Sequence, residues 1–425
     1  MSGNSDSKLG PVRVWALAAG GMVGGGIYIA LGVVISVAAQ WAWLSFAISG
    51  VIAVISAWSY ARLSNKYGKS GGAFEFLEDM DRRKLAGSLS WLLIMGYTLT
   101  ISVYAYAFGH YVAYAFAGGE WMIRALAILI GVGLIGLNLL GVGKMTSVEV
   151  VIVTGNLAIL VILAVWGLSQ WNGVELVSGI EPRAPWASIV GAAAIFVSYE
   201  GFQLLTYEYD QIANPQKTFV PVLVSAAIFV VFVYIAVALG ATMLAGALTV
   251  VEQKEIALSV AARNAAGTAG LVGMTIAAAF ATAAAINSTL YSTAKLAERI
   301  ADDGMLPSWF EHENRFGVPD RPVVLIGAMA TFLAIIGSLS SLVEAASLVF
   351  LVTFMVVNII AWREMETWRW IPAIAVVMSF VVGLVLVARL AVNAPVPLAV
   401  LAALSVFVFV ARPAILARVH TEGGA

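Results

Sequence analysis

The sequence predicts an all-α membrane protein of twelve helical spans. Three observations lead there. Of 425 residues, 61% are hydrophobic and 11% charged, with mean hydropathy +0.94; a soluble chain of this length could not bury so much apolar surface. Apolar stretches of about 20 residues, enough to cross a bilayer core, recur along the whole chain. When these stretches are threaded back and forth as spans, lysine and arginine sort to one face.

The spans fall at 12–39, 41–63, 86–117, 121–140, 147–168, 186–212, 218–246, 267–299, 321–338, 342–362, 370–390 and 394–416. The third and eighth are long enough to tilt strongly. Most links are short. The longer ones, 64–85, 169–185, 247–266 and 300–320, carry much of the charge, and no soluble domain fits in any of them. Within 247–266, Glu252, Lys254 and Glu255 read as a short amphipathic helix. Twelve spans put both termini on one side. Of the 23 lysines and arginines, only Arg124, Arg183, Lys254, Arg263 and Arg389 then fall on the opposite face. The positive-inside rule makes both termini cytoplasmic, in a multi-pass protein of the cell (plasma) membrane.

Several function classes drop out. The net charge of −1 gives no basic surface for nucleic acid. The absence of cysteine excludes disulfides, thiolate metal sites and cysteine nucleophiles. His110, His312 and His420 are scattered and form no ligand cluster, so neither a metal nor a cofactor is implied. No nucleophile–base pair is visible and no catalytic residue is assigned; the protein is not expected to be an enzyme. The "GKS" at Gly68–Ser70 is not a phosphate-binding loop, because Leu63 stands where the first glycine would be and no strand precedes it. The polar N-terminus has no cleavable signal pattern, and Ser2 rules out myristoylation.

Two spans carry signs of interruption. The first contains "AAGGMVGGGIYIALG", with glycine at 20, 21, 24, 25 and 26. Close packing of the GxxxG kind accounts for Gly20 and Gly24 but not for three glycines in a row. Consecutive poor helix formers at mid-membrane predict unwound backbone, which is tolerated only where it is buried in protein or lines a cavity. The sixth span has Ser198, Tyr199, Glu200 and Gly201 at a matching depth. Breaks in spans one and six are the pattern of two inverted five-helix repeats, 1–168 and 186–362, followed by two further helices over 370–416 and a tail at 417–425. Each break frees N–H groups that suit a carboxylate and carbonyls that suit an ammonium. Two crossing breaks form a receptor for a zwitterion.

The motifs themselves resemble a family. "GGMVGGGIY" (Gly20–Tyr28), "YGKSGGAFEFLED" (Tyr67–Asp79), "SYEGF…DQIANPQKTFVP" (Ser198–Pro221) and "INSTLYSTAKLAERIADDGMLPSWFEHENRFGVP" (Ile286–Pro319) are similar to segments of amino acid–polyamine–organocation (APC) transporters. The nearest likeness is to archaeal and bacterial broad-specificity amino acid permeases of the ApcT type. The resemblance implies a LeuT-like fold and a secondary active transporter that imports amino acids by alternating access, coupled to protons. It implies that the substrate carboxylate meets the amides of Gly25 and Gly26, beside Gly24, and that the ammonium meets the carbonyls of Met22, Val197 and Glu200. Ser198 and Tyr199 belong to the same segment. Thr289 aligns with a gating position. Tyr104, Tyr106 and His110 lie on the third span, which lines the pathway in the family; Tyr106 and His110 are i, i+4 and share a face.

The chain departs from the family at the coupling positions. Asn156 stands where proton-coupled relatives carry a lysine, and asparagine cannot shuttle a proton. Ala283 and Ala284 stand where sodium ligands would be, leaving Thr282 as the nearby side-chain oxygen. Glu200, by contrast, is an added acid. An ionised acid at a helix centre costs about 2.5–3.5 kcal/mol even on lenient scales, so it should be cavity-facing, paired or protonated. Three readings stand: a proton carrier, a counter-charge for a cationic amino acid or polyamine in an exchanger, or a structural acid paired with a tyrosine or loose amides. A membrane amino acid sensor that binds without transporting is the alternative from another class.

Overall fold

The computed structural model describes residues 8–80, 83–141 and 147–408. The end of the last predicted span, the 417–425 tail and the start of the N-terminal tail lie outside them. Helix dominates, and no β-sheet occurs among the described residues; there are only two isolated bridges.

The first predicted span is two helices, α1 (Pro11–Val23) and α2 (Gly26–Ala38), followed by α3 (Ala42–Tyr67). Next come α4 (Gly72–Asp79), α5 (Arg83–Ala115), α6 (Glu120–Leu139) and α7 (Ser147–Ser169). The sixth span begins as α8 (Ala187–Ile195), tightens to a 3-10 turn at Phe196–Tyr199, and resumes as a 3-10 helix at Phe202–Gln211. The remainder is α9 (Pro215–Ala245), α10 (Ala247–Glu252), α11 (Ala257–Asp302), α12 (Asp320–Ile336), α13 (Leu339–Glu364), α14 (Trp370–Asn393) and α15 (Pro395–Val406). Proline at the first position of α9 and α15 starts helices where an N–H would go unbonded in any case. α11 is kinked at Ala266–Gly267, where the eighth span was expected to begin.

Nine stretches among the described residues are long and apolar enough to cross a membrane, one of them running unbroken in composition from Pro11 to Tyr67. α12 and α15 are shorter, at 17 and 12 residues. The outer helices present large apolar side chains outward, among them Leu129, Val151, Val165, Phe380 and Leu384. Inside, α1 packs on α9 and α7, α8 packs on α3 and α2, and α5 packs on α11 and α13. Both interrupted spans are thereby enclosed by other helices.

Two links differ from expectation. The 64–85 link is not simply a charged loop: α4 is buried through Ala73, Phe74, Phe76 and Leu77. Its buried acid, Glu75, is neutralised by Lys69 at 3.2 Å and Arg299 at 3.0 Å. Eight residues are too few to register as a span. In the 247–266 link, the helix ends at Glu252, so Lys254 and Glu255 lie beyond it. The backbone of Lys254 docks on Gly32 of α2, where an added Cβ would lie 2.3 Å from its Cα.

Candidate functional site

The first break is narrow. Gly24 keeps helical dihedrals and donates its N–H to Gly20 O at 2.7 Å; only Gly25, at φ −134° and ψ −15°, leaves the helix. The run of glycines has a different cause from wholesale unwinding. A Cβ at Gly20 would meet Val153 of α7, at Gly21 the backbone of Gly201, and at Gly24 Ala285 of α11. At Gly25 it would meet the Tyr104 ring of α5, and at Gly26 the Ser198 carbonyl. The segment is enclosed on every side, so each glycine admits a different neighbour. A half-helix starting at Gly26 still leaves its first N–H groups without intrahelical acceptors.

The second break is sharper. Glu200 is extended (φ −68°, ψ 150°) and Gly201 has φ 127° and ψ −36°, a conformation strained for any residue with a Cβ. The Gly201 N–H donates to Gln203 Oε1 at 2.9 Å, and Val197 N–H to Ser347 Oγ at 3.0 Å. These side chains satisfy donors that the break has orphaned.

The two breaks meet. A Cβ on Gly21 would lie 3.1 Å from the Gly201 carbonyl carbon. The Tyr234 hydroxyl of α9 is shared between Met22 O at 2.7 Å and Ser198 O at 2.9 Å. Further down, Leu9 bonds backbone to backbone with Gln211 and Ala213, tying the chain ahead of α1 to the end of the 3-10 helix.

Glu200 is 1% exposed. Its Oε1 accepts from Gln203 Nε2 at 3.0 Å, and its Oε2 lies 3.5 Å from the Tyr104 hydroxyl, a long contact. No basic residue pairs with it among the described residues. Tyr104 therefore bridges the site, with its ring on Gly25 and its hydroxyl towards Glu200. The Ser198 hydroxyl is buried without a hydrogen-bond partner.

The sequence-predicted residues divide. Met22, Gly24, Gly25, Gly26, Val197, Ser198 and Glu200 all lie at the two breaks. Two of the three carbonyls expected to be open are engaged: Met22 O by Tyr234, and Val197 O by the Glu200 N–H at 3.0 Å. Each retains a second lone pair. The Tyr199 side chain turns away, donating to Phe46 O of α3 at 2.8 Å, and so pins the break to its surroundings. Thr289 is buried one turn beyond Ala285, the residue that packs on Gly24. Asn156 is hydrogen-bonded by the Tyr28 hydroxyl, joining α7 to α2 rather than meeting Glu200. Thr282 turns its hydroxyl to Ala278 O of its own helix at 2.7 Å. Tyr106 and His110 do share a face, their rings stacked with centroids 4.1 Å apart.

Sequence reasoning missed Gln203, Tyr97, Tyr207 and Tyr234 as partners of the breaks. A signal was present for one group. Tyr97, Tyr104 and Tyr111 recur at two-turn spacing on α5, and all three are buried. Tyr97 reaches Gln203, Tyr104 reaches Glu200, and Tyr111 donates to Tyr28 O at 2.9 Å.

Comparison with known proteins gives this geometry a context. The chain is 28% identical to an uncharacterised protein of Methanocaldococcus jannaschii over 355 residues, 83% of this chain and 81% of the relative. It is 28% identical to the inner membrane transport protein YbaT of Escherichia coli over 373 residues, 85% and 84% of the two chains. It is 25% identical over 367 residues to the mitochondrial cationic amino acid transporter 3 of Arabidopsis thaliana, covering 81% of this chain and 60% of that one. The latter two relatives are transporters by name, and the many apolar helices make this a multi-pass membrane protein. The amino acid permease profile matches residues 9–419, nearly the whole length, and the chain belongs to the amino acid permease family.

Proposed function

We propose that this protein imports amino acids across the cell membrane by alternating access. The substrate sits where the two breaks cross, its carboxylate towards the amides of Gly25 and Gly26 and its ammonium towards the carbonyls of Met22, Val197 and Glu200. The arrangement is LeuT-like, with twelve spans, inverted repeats over 1–168 and 186–362, and both termini in the cytoplasm. The face bearing Lys69, Lys295 and Arg299 is then the inner one.

The observation that carries this reading is the meeting of the breaks, with Gly21 against Gly201 and one Tyr234 hydroxyl shared by Met22 O and Ser198 O. The orphaned Ser198 hydroxyl beside them supports it, because a buried polar group without a partner is costly unless a ligand supplies one. Glu200 takes up one positive charge in each cycle, and for a zwitterionic substrate that charge is a proton. Its partners here, an amide and a phenol, are both neutral. Asn156 and Thr282, bonded elsewhere, serve neither proton nor sodium.

A second reading has its own support. The cationic amino acid transporters among the relatives favour a substrate whose side-chain cation meets Glu200, moved by exchange without an ion. Uptake of radiolabelled amino acids into proteoliposomes, driven in turn by a proton gradient, a sodium gradient and counter-substrate, separates the readings. Proton-driven accumulation that Glu200→Gln abolishes is the expected result. Exchange of arginine or lysine alone, lost in the same variant, establishes the second reading. Binding without uptake under any gradient makes the protein a sensor and overturns both.

A further inference from the structure

Gln203 is fully buried, and both ends of its amide are engaged. Its Oε1 accepts from Gly201 N–H at 2.9 Å, which assigns the two ends. Its Nε2 then donates to Glu200 Oε1 at 3.0 Å and to Tyr97 Oη at 3.3 Å. Tyr97, accepting from Gln203, has its own proton free for Tyr207 Oη at 3.0 Å. The Tyr207 ring lies against Gly72, where an added Cβ would stand 2.7 Å from it. Gly71 and Gly72 lead into α4, which Arg299 clamps to the end of α11 through Glu75 at 3.0 Å. Gly71, Tyr207, Tyr291, Ser292 and Arg299 border a cavity of about 350 Å³ at this face. An unbroken series of contacts thus runs from Glu200 to the ion pair.

A hydrogen bond to an ionised carboxylate is roughly twice as strong as one between neutral groups. Neutralising Glu200 therefore weakens its hold on Gln203, the residue that also caps Gly201 and holds Tyr97. We propose that Gln203, with Tyr97 and Tyr207, transmits the charge state of Glu200 to the inner closure formed by Gly71–Gly72 and the Glu75–Arg299 pair. Gln203 is a positioning residue; its amide conveys geometry, not a proton. The titratable groups facing Glu200 are tyrosines: Tyr60 of α3, Tyr97 and Tyr104 of α5, Tyr207 of the 3-10 helix and Tyr234 of α9.

The inference rests on Glu200 changing charge during transport, and its test is separable from that reading. The chain has no cysteine, so a Ser292→Cys variant gives one thiol on the cavity wall. Its labelling rate by a water-soluble maleimide reports opening of the inner face. Glu200→Gln, which fixes the neutral form, is expected to change that rate about five-fold or more, the lower range of site-to-site coupling. Adding Tyr97→Phe, which removes only a hydroxyl, is expected to abolish the change. Tyr207→Phe repeats the test should Tyr97→Phe fail to fold. A change that persists in both tyrosine variants overturns the inference, and so does a labelling rate that Glu200→Gln leaves unaltered. Uptake measured on the same samples judges the transport reading independently.

Discussion

Gly201→Ala is the most incisive single substitution, because both of its costs can be worked from the structure. Gly201 sits at φ 127°, where a residue with a Cβ is strained by about 1–3 kcal/mol. The new Cβ would lie 2.3 Å from the Gly21 carbonyl carbon, 2.4 Å from its oxygen and 2.8 Å from Met22 N. Carbon atoms in contact stand about 3.5–4.0 Å apart, so α1 and the broken sixth span must separate by roughly 1 Å or more. All three neighbours are backbone atoms, and no rotamer change relieves the clash. Overpacking adds about 1–3 kcal/mol. The sum, about 2–6 kcal/mol, exceeds the ~1.4 kcal/mol of a ten-fold change in affinity. Substrate binding to purified protein in detergent, together with thermal unfolding, is the assay. Affinity is expected to fall at least about ten-fold, with a lower unfolding temperature. Gly136→Ala on α6, where nothing lies within 4 Å of the added Cβ, is the control and is expected to keep both. Wild-type affinity and unfolding temperature in Gly201→Ala would refute the contact between the breaks.

Other substitutions have equally definite outcomes. Gly25→Ala drives a Cβ to 2.1 Å from the Tyr104 ring; the ring must leave its seat between Gly25 and Glu200, and uptake is expected to be lost while the protein stays folded by size-exclusion chromatography. Tyr234→Phe removes the hydroxyl shared by Met22 O and Ser198 O. Calorimetric unfolding is expected to show a loss of about 1–3 kcal/mol from the buried acceptors left unpaired. Arg389→Ala strands Glu344, which is 3% exposed and bonded to Arg389 at 3.0 Å. The loss is expected near the lower end of about 3–5 kcal/mol, because Arg389 is itself 24% exposed. Adding Glu344→Leu is expected to recover most of it in the same thermal assay.

The membrane architecture was legible because bilayer crossing demands long apolar sequence, and nine such stretches stand among the described residues. α4 was not, since eight residues cannot meet that length whatever they bury. The glycines near Gly25 marked the first break correctly, but their number reflected crowding: each has a different residue of a neighbouring segment against it. Tyr199 was grouped with Glu200 by adjacency, yet the tight 3-10 turn aims its hydroxyl at Phe46 O. Glu200 stood out because an acid in an apolar span is conspicuous. Its partner Gln203, three residues on, and Tyr104, on another helix, became evident only once the chain had folded back on itself. The two-turn spacing of Tyr97, Tyr104 and Tyr111 was the available clue that α5 serves the broken spans.

Transport by this protein, as proposed, depends on the crossing of two interrupted helices recognising both ends of an amino acid. Binding to the purified protein by scintillation proximity tests this directly: the tightest-binding amino acid is compared with its methyl ester, which lacks the carboxylate, and its N-acetyl derivative, which lacks the ammonium. Both derivatives are predicted to lose binding by at least about a hundred-fold, the cost of leaving buried polar groups unmatched. Either derivative binding as tightly as its parent would contradict the account.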